Sequence, residues 1–308
     1  MRSHALSFSA LAGALLATIA LALPCAAATE PGVTRALLDN GLRVVIVRDP
    51  LAPVVTTEVN YLAGSIDSPP GFPGMAHAQE HMMFRGSPTL SADQIAAITA
   101  AMGGDFDADT QPTITQFFLT VPAEDLGVAL HLEAARMQGV NDAQDQWDEE
   151  RGPIEQEVAA DESDPVRKML TTINADLYAG TPYAIDGVGT RPSFDQTTGS
   201  MIHDFYQHWY APNDAILIVA GDIDPASTLT QVRELFGSIP ARTLPPRPSI
   251  NLAPLTAALI TSDTDLPVPI AVVAYRMPPS DSTDFAAGQV LAGALASQRA
   301  NLYALVPQ

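Results

Sequence analysis

The sequence is poor in positive charge, and this shortage restricts the partners that the protein can have. Lysine and arginine together number 15 against 35 aspartate and glutamate residues, and Lys168 is the sole lysine. A chain with a formal charge of −20 repels nucleic-acid phosphates and anionic membrane surfaces, and its arginines are scattered rather than clustered. We therefore expect no nucleic-acid partner. The 308 residues, 47% of them hydrophobic, are ample for a packed enzyme.

Cysteine is almost lacking too, because Cys25 is the single one and it lies near the end of an N-terminal leader. Arg2 precedes an uncharged apolar stretch at 6–23, and residues 26–28 are three alanines, which suit a cleavage site. We interpret 1–28 as a signal peptide rather than a membrane anchor, since no basic flank follows the apolar stretch. The mature protein is then exported, to a bacterial periplasm or outside the cell, without a disulfide or a stable membrane anchor.

Residues 29–240 are predicted to form an α+β domain. Alternating apolar residues predict a strand at 54–62, and two short strands around the Asp39-Asn40-Gly41 turn predict an antiparallel pair. Helices separate further strands, and one of them begins after the capping residue Ser91.

A second domain is expected after a linker. Five prolines lie between Pro240 and Pro254 without a long apolar run, so 241–254 is predicted to be a linker. Residues 255–308 are then the start of a second, similar domain, with a strand at 269–276 and a helix from Thr283. We expect this second domain to be incomplete.

One short segment concentrates the residues that carry chemistry. His77 and His81 are separated by one helical turn, and Glu80 directly precedes the second histidine. Positions i and i+4 share a helix face, so both imidazoles can bind one metal ion. Glu80 projects near that face and can accept a proton from a water molecule that the metal acidifies. The pattern predicts a hydrolytic zinc site, and the alternative is an ordinary pair of surface histidines.

A catalytic zinc site needs a third protein ligand, and the acidic segment 148–157 can supply it. Glu150 and Glu157 are seven positions apart, so they share a face if the helix is continuous. Pro153 favours the first turn of a helix, which predicts that Glu150 lies at or before the helix start. The residues alone leave four candidate ligands open: Glu149, Glu150, Glu155 and Glu157.

The segment from Gly74 to Ser87 resembles the signature helix of the inverzincin metallopeptidases, the family of pitrilysin, insulin-degrading enzyme and the mitochondrial processing peptidase. The resemblance covers the chain from about Ala36 onward. It implies that Glu157 is the third metal ligand and that Glu150 is the acid that supports catalysis. It also implies an α+β fold of the LuxS and processing-peptidase type, in which an antiparallel or mixed sheet packs against helices.

The resemblance further implies an activity and a substrate. Residues 103–110 resemble the family's glycine pair and edge strand, so Asp107 and Ala108 are expected to contact a peptide that lies along that strand. The family usually has asparagine where Asp107 stands. The implied function is a zinc-dependent endopeptidase that binds one Zn2+ per chain and hydrolyses peptides or unfolded segments, with Glu80 as general base.

The family closes two homologous halves around a chamber, and an arginine and a tyrosine of the far half help to hold the substrate. We assign no such pair in this sequence, so we expect either that the chain is a fragment or that a homodimer or a partner chain supplies the second half. The alternative function is a non-catalytic subunit that binds peptides or completes a partner peptidase. The intact His77, Glu80 and His81 favour the enzyme, because a binding subunit has no need of a base beside two ligands.

Overall fold

The computed structural model describes residues 32–297, apart from 248, 262, 265, 268 and 269. The predicted signal peptide at 1–28 lies outside the described residues, and so do residues 298–308 of the predicted second domain. Within the described ranges, no helix has the length and apolar character needed to cross a membrane.

Strands and helices occur in separate groups along the described residues, as is typical of an α+β chain. The strands are β1 (Val33–Leu37), β2 (Arg43–Arg48), β3 (Val54–Tyr61), β4 (Asp105–Thr110), β5 (Thr115–Pro122) and β6 (Ala215–Gly221). The helices are α1 (Met75–Met82), α2 (Ala92–Met102), α3 (Leu126–Gln138), α4 (Gln144–Ser163), α5 (Pro165–Leu177), α6 (Arg191–Phe194), α7 (Gly199–Trp209), α8 (Pro225–Phe236) and α9 (Phe285–Ala296).

The six strands form one mixed sheet in the order β1-β2-β6-β3-β5-β4. β2 and β6 run parallel, and every other pair of neighbours is antiparallel. The predicted α+β class and the predicted pair β1–β2 are therefore confirmed. β6 lies between β2 and β3 although it comes last in the sequence, and β4 is left at an edge. A strand at the edge keeps one row of backbone groups free for another strand.

One face of the sheet carries the core. Along β6, Ala215, Leu217 and Val219 are fully buried while the residues between them are half-buried, which is the alternation expected when a single face is covered. Helix α3 packs on β3 and β5, and α8 packs on β2. Helix α1 packs near β4, against α4 and α7, so the histidine segment lies between the helical layer and the edge of the sheet.

The prediction that the acidic helix starts near Pro153 was wrong. Helix α4 begins at Gln144 and continues through Pro153. Proline removes one backbone hydrogen bond from a helix, and burial of Trp147 before it and of Ile154 and Val158 after it holds both parts of α4 on the core. Because α4 is continuous, Glu150 and Glu157 lie two turns apart on the same face of the helix.

Part of the predicted linker is attached to the first domain. Arg242 Nη1 donates a hydrogen bond to the carbonyl of Tyr206 at 2.9 Å, and Arg247 Nη2 donates one to Asp214 Oδ2 at 2.7 Å. The Arg247 guanidinium also lies 4.9 Å from the ring centre of Trp209. The first half of 241–254 thus runs along the domain surface, while the domain boundaries themselves stay a prediction.

The strand predicted at 269–276 is not formed within the described residues 270–276. These residues are mostly exposed, and none of them pairs with another described strand. Unpaired backbone groups need water or a neighbouring strand, and here they face solvent. The helix predicted from Thr283 is present as α9, which begins at Phe285.

Asp142 is a buried carboxyl group outside the histidine segment. It is 4% exposed, and its Oδ2 lies 3.3 Å from Nδ1 of His203. Burial raises the pKa of Asp142 to about 6, and the nearby His203 and Gln79 act in the opposite direction without cancelling the effect. Its φ of 46° lies in the left-handed region, which asparagine also tolerates.

Replacing Asp142 by asparagine should weaken the pH dependence of stability. The folded-state pKa lies above the value of 3.8 for an unperturbed aspartate, so the folded protein binds the proton more tightly than the unfolded chain does. Lowering the pH from about 6 to about 4 should stabilise the wild type relative to Asp142→Asn by about 2 kcal/mol. Denaturant unfolding of both proteins across this range measures the difference. An identical pH dependence would contradict the expectation.

Candidate metal centre

Helix α1 holds the histidines at a buried position. Its N-terminal neighbour Gly74 has a φ of 87°, which glycine adopts without strain. Met75, Ala78 and Met82 are completely or almost completely buried, so the helix is anchored along its inner side. His77 is only 8% exposed, and a ring this well enclosed has little freedom to rotate.

The side chains of His77, His81 and Glu157 converge on one point. The two Nε2 atoms are 3.2 Å apart, and Glu157 Oε2 lies 3.3 Å from His77 Nε2. Glu157 Oε1 lies 3.7 Å from His81 Nε2. The three potential ligand atoms fall within 4.8 Å of one another. The structure thus brings together the two histidines and a glutamate that the resemblance selected.

This donor set fits a zinc ion. Catalytic zinc sites use three nitrogen or oxygen ligands from the protein and keep a fourth position for water. Ligand bonds of about 2.0–2.1 Å in a tetrahedron place neighbouring ligand atoms about 3.4 Å apart. The two Nε2 atoms, 3.2 Å apart, and the pair His77 Nε2 and Glu157 Oε2, 3.3 Å apart, lie close to that value. The contact of 3.7 Å with His81 Nε2 involves the other oxygen of the Glu157 carboxylate.

The second nitrogen of each imidazole is held by an acceptor. His77 Nδ1 donates to the carbonyl of Val188 at 2.9 Å, and His81 Nδ1 donates to Glu150 Oε1 at 2.9 Å. With a proton on each Nδ1, the lone pair of each Nε2 points into the cluster. Hydrogen bonds of this kind fix the tautomer and the orientation of metal-binding histidines.

The geometry separates the four glutamates that the sequence left open. Glu157 faces both histidines, and Glu150 contacts His81 from one side. Glu149 is 71% exposed on its side chain and pairs with Arg85. Glu155 lies 3.7 Å from Arg151 and 3.8 Å from Arg191. Glu149 and Glu155 are thus engaged with arginines.

Two carboxyl groups beside the cluster have opposite pKa shifts. Burial raises the pKa of Glu80, although the hydroxyl of Thr110 donates a short hydrogen bond to Glu80 Oε2 and the neighbouring imidazoles favour the charged form. The hydrogen bond from His81 lowers the pKa of Glu150, and the charge of Arg85 lowers it further. Glu80 is therefore suited to exchange a proton, whereas Glu150 is held as an anion.

Burial acts to lower the pKa of His81, but its surroundings outweigh that effect. The hydrogen bond to Glu150 and the charges of Glu157 and Glu80 raise the pKa of His81 above its ordinary value. Several carboxylates thus converge on this imidazole, and such a surrounding also favours a bound cation.

A cleft of about 640 Å³ opens beside His77 and Glu80. One wall is formed by residues 108–112, and the opposite wall is formed by α5 and residues 183–188. Ala108, for which the resemblance implies a substrate contact, lines the cleft. Asp107 is exposed on the opposite side of β4, and its Oδ1 accepts a hydrogen bond from the Ala108 N–H at 2.9 Å.

Three further residues of the site were missed by the sequence analysis. Val188 acts through its main-chain carbonyl, which no side-chain pattern reveals. Thr110 lies thirty positions from Glu80, and the two meet because β4 passes beside α1. Arg85 could have been found from its spacing, because it lies four positions after His81, the spacing that places two residues on one helix face.

The structure is thus an α+β domain with a candidate metal site formed by two histidines and one glutamate. Residues 43–191 match the insulinase family (peptidase family M16), and residues 198–306 match the inactive domain of peptidase family M16. The chain belongs to this family, and the predicted resemblance is confirmed.

The relatives are described as proteases. An uncharacterised zinc protease of Mycobacterium leprae is 32% identical over 72% of this chain and 51% of that protein. The zinc protease PqqE of Helicobacter pylori is 28% identical over 66% of this chain and 46% of that protein. The crystal structure of a protease from Helicobacter pylori is similar with a TM-score of 0.68 and 26% identity, covering 72% of this chain and 54% of that chain. The chain spans about half the length of these relatives, and the matches support a peptidase function.

Replacing Gly189 by alanine should disturb the acceptor that holds His77. A Cβ at Gly189 would lie 2.4 Å from Phe194 Cζ and 2.8 Å from Gly74 Cα, so the loop carrying the Val188 carbonyl must move. We expect zinc affinity to fall roughly 10-fold or more, as for other losses of a hydrogen bond to a ligating histidine. Competition with a chromogenic chelator measures this affinity.

Gly71→Ala is the matched control. Gly71 has a φ of 88° against 93° at Gly189, but a Cβ there meets no atom within 4 Å. Both substitutions carry the same backbone strain of about 1–2 kcal/mol, and only Gly189→Ala adds the collision. Equal zinc affinities for the two variants would show that the hydrogen bond from His77 to the Val188 carbonyl does not contribute to zinc binding.

Proposed function

We propose that this chain provides the metal-binding half of an exported zinc endopeptidase that cleaves peptides or unfolded segments. His77, His81 and Glu157 hold one Zn2+, Glu80 is the general base, and Glu150 supports the site. The proposal rests on one observation: the Nε2 atoms of both histidines and the Glu157 carboxylate meet at a single point beside Glu80, at the edge of an open cleft.

Glu80, Thr110 and Glu150 each have a separate role in the proposed hydrolysis. A bound zinc ion would polarise the scissile carbonyl and acidify a water molecule. Glu80 takes a proton from the attacking water and later delivers it to the leaving amine. The burial that raises the pKa of Glu80 strengthens it as a base, and the hydrogen bond from Thr110 fixes its orientation. Glu150 keeps the His81 ring turned toward the ligand position.

The substrate is proposed to enter as an extended strand along β4. This strand lies at the edge of the sheet and can pair with another backbone through its free side. The main-chain groups of Ala108 and the side chain of Asp107 would meet the peptide there. Since Asp107 Oδ1 accepts the Ala108 N–H, a peptide that pairs with this N–H must displace the Asp107 side chain.

Export and assembly complete the proposal. The leader at 1–28 would direct the chain to a bacterial periplasm or out of the cell, with no membrane anchor retained. A second copy of the chain or a partner chain would close the cleft from the other side, as the family resemblance implies.

The second candidate function is a non-catalytic subunit that binds peptides or completes a partner peptidase. The match to the inactive domain of the family gives it some support, but that match concerns residues 198–306. His77, Glu80, His81 and Glu157 all lie within 43–191, which match the peptidase domain. The position of the cluster therefore favours the enzyme.

Glu80→Gln should retain one zinc ion per chain and lose peptidase activity by about 100-fold or more, because the amide keeps the shape and cannot accept the proton. Cleavage of a mixed set of quenched peptides by the zinc-loaded chain, together with the zinc content of each protein, measures both properties. Glu234→Gln on the exposed side of α8 is the control and should cleave at the wild-type rate.

Wild-type cleavage by Glu80→Gln would contradict the role of this residue. If neither protein cleaves any peptide although both bind zinc, the metal site is formed and cleavage requires the second half or a partner chain.

A further inference from the structure

Arg85 stands one helical turn after His81, just beyond the end of α1. Its main chain is fixed at both ends, since its N–H donates to the Met82 carbonyl at 3.0 Å and its carbonyl accepts from Gln146 Nε2 at 2.7 Å. The second bond joins the segment after α1 to α4. The guanidinium therefore starts from a well-defined position between the two helices that supply the metal ligands.

The guanidinium of Arg85 contacts the carboxylate that holds His81. Arg85 Nη1 lies 3.4 Å from Glu150 Oε2, while Glu150 Oε1 accepts the hydrogen bond from His81 Nδ1 at 2.9 Å. The two oxygens of Glu150 are thus divided between a cation and an imidazole. Arg85 Nη2 also donates a short hydrogen bond to Glu149.

We propose that Arg85 is a positioning residue of the metal site, and this proposal rests on the metal-binding role of His81 given above. By holding Glu150 Oε2, Arg85 prevents rotation of the carboxylate and keeps Oε1 directed at His81 Nδ1. The imidazole then keeps its Nε2 aimed at the ligand position. Arg85 acts through Glu150 and does not touch the ion.

The burial of Glu150 explains why a cation is needed at this place. Its side chain is 15% exposed, so its charge is largely removed from water and must be balanced by neighbouring groups. His81 is neutral when it binds a metal and supplies only a hydrogen bond. The planar guanidinium supplies charge and direction together, which a flexible ammonium group does less well.

A purely structural role for Arg85 predicts a different pattern. The pair of Arg85 with the exposed Glu149 is of the surface type, which contributes little to stability. If that pair were the purpose of Arg85, removing Glu149 would have the same effect as removing Arg85. If Glu150 is its target, the two substitutions differ.

The test compares four variants of the full chain. Arg85→Met removes the charge, Arg85→Lys keeps the charge and loses the planar fork, and Glu149→Gln removes only the exposed partner. Arg151→Gln is the matched control, because Arg151 is adjacent to Glu150 on α4 but pairs with Glu155 and Asp195 at 3.7 and 3.6 Å.

Zinc affinity, measured by chelator competition, is the first readout. We expect roughly a 10-fold loss for Arg85→Met, a smaller loss for Arg85→Lys, and affinities within about two-fold of wild type for Glu149→Gln and Arg151→Gln. Melting temperatures of the zinc-free proteins should not follow the same order. Wild-type affinity in Arg85→Met, or an equal loss in Arg151→Gln, would overturn the proposal.

The second readout needs no metal, so it separates this proposal from the proposed function. Nitrogen-15 NMR of the zinc-free chain should show the protected Nδ1–H of His81 in wild type and in Arg151→Gln, and its loss through exchange in Arg85→Met. Absence of zinc binding by the wild type would contradict the proposed peptidase function. An unchanged His81 Nδ1–H in Arg85→Met would refute the role of Arg85, whatever the metal result.

Discussion

The packing of α1 against α4 and against the segment 186–190 is the interaction on which the candidate site depends. Helix α4 supplies Glu150 and Glu157, and the segment supplies the Val188 carbonyl that holds His77. The contact is close because two glycines meet there: a Cβ on Gly74 would lie 2.6 Å from Gly189 Cα. Ser193 closes this contact with a hydrogen bond from Oγ to the Pro73 carbonyl at 2.7 Å. A shift of either partner would misdirect a histidine.

The charges of three glutamates around the two histidines are the second feature on which the candidate site depends. Glu80, Glu150 and Glu157 surround two imidazoles, and together they raise the pKa of His81 even though burial opposes this. A divalent cation among these groups would relieve the repulsion between the carboxylates, and Arg85 lies 3.4 Å from Glu150 and balances its charge. In the proposed site, Glu157 is the anionic ligand, Glu80 is the base and Glu150 is the acid that holds His81.

Local patterns made much of this structure predictable from the sequence. The histidine spacing and the cap at Ser91 depend on neighbouring residues, and the structure reproduces α1 and α2 where those patterns place them. The choice of Glu157 required the family resemblance, because four acidic residues on one helix satisfy the same spacing arguments.

The remaining features depend on contacts that are distant in sequence. Helix α4 continues through Pro153 because Trp147 and Ile154 are buried on either side of it, and burial is not visible in a local pattern. The Val188 carbonyl reaches His77 only through the close approach of Gly74 and Gly189. The residues at 270–276 are rich in β-branched and aromatic side chains and have strand propensity. A strand also needs a neighbour, and none is paired with them in the described part of the chain.

The proposed site binds one ion through two histidines and one glutamate and leaves a position for water. X-ray absorption at the zinc edge, on the chain loaded with one zinc ion, reports these ligands. We expect two imidazole nitrogens and two oxygens at about 2.0–2.2 Å, with one imidazole lost in His81→Ala. A site with more than two imidazoles, or a spectrum unchanged by His81→Ala, would contradict this expectation.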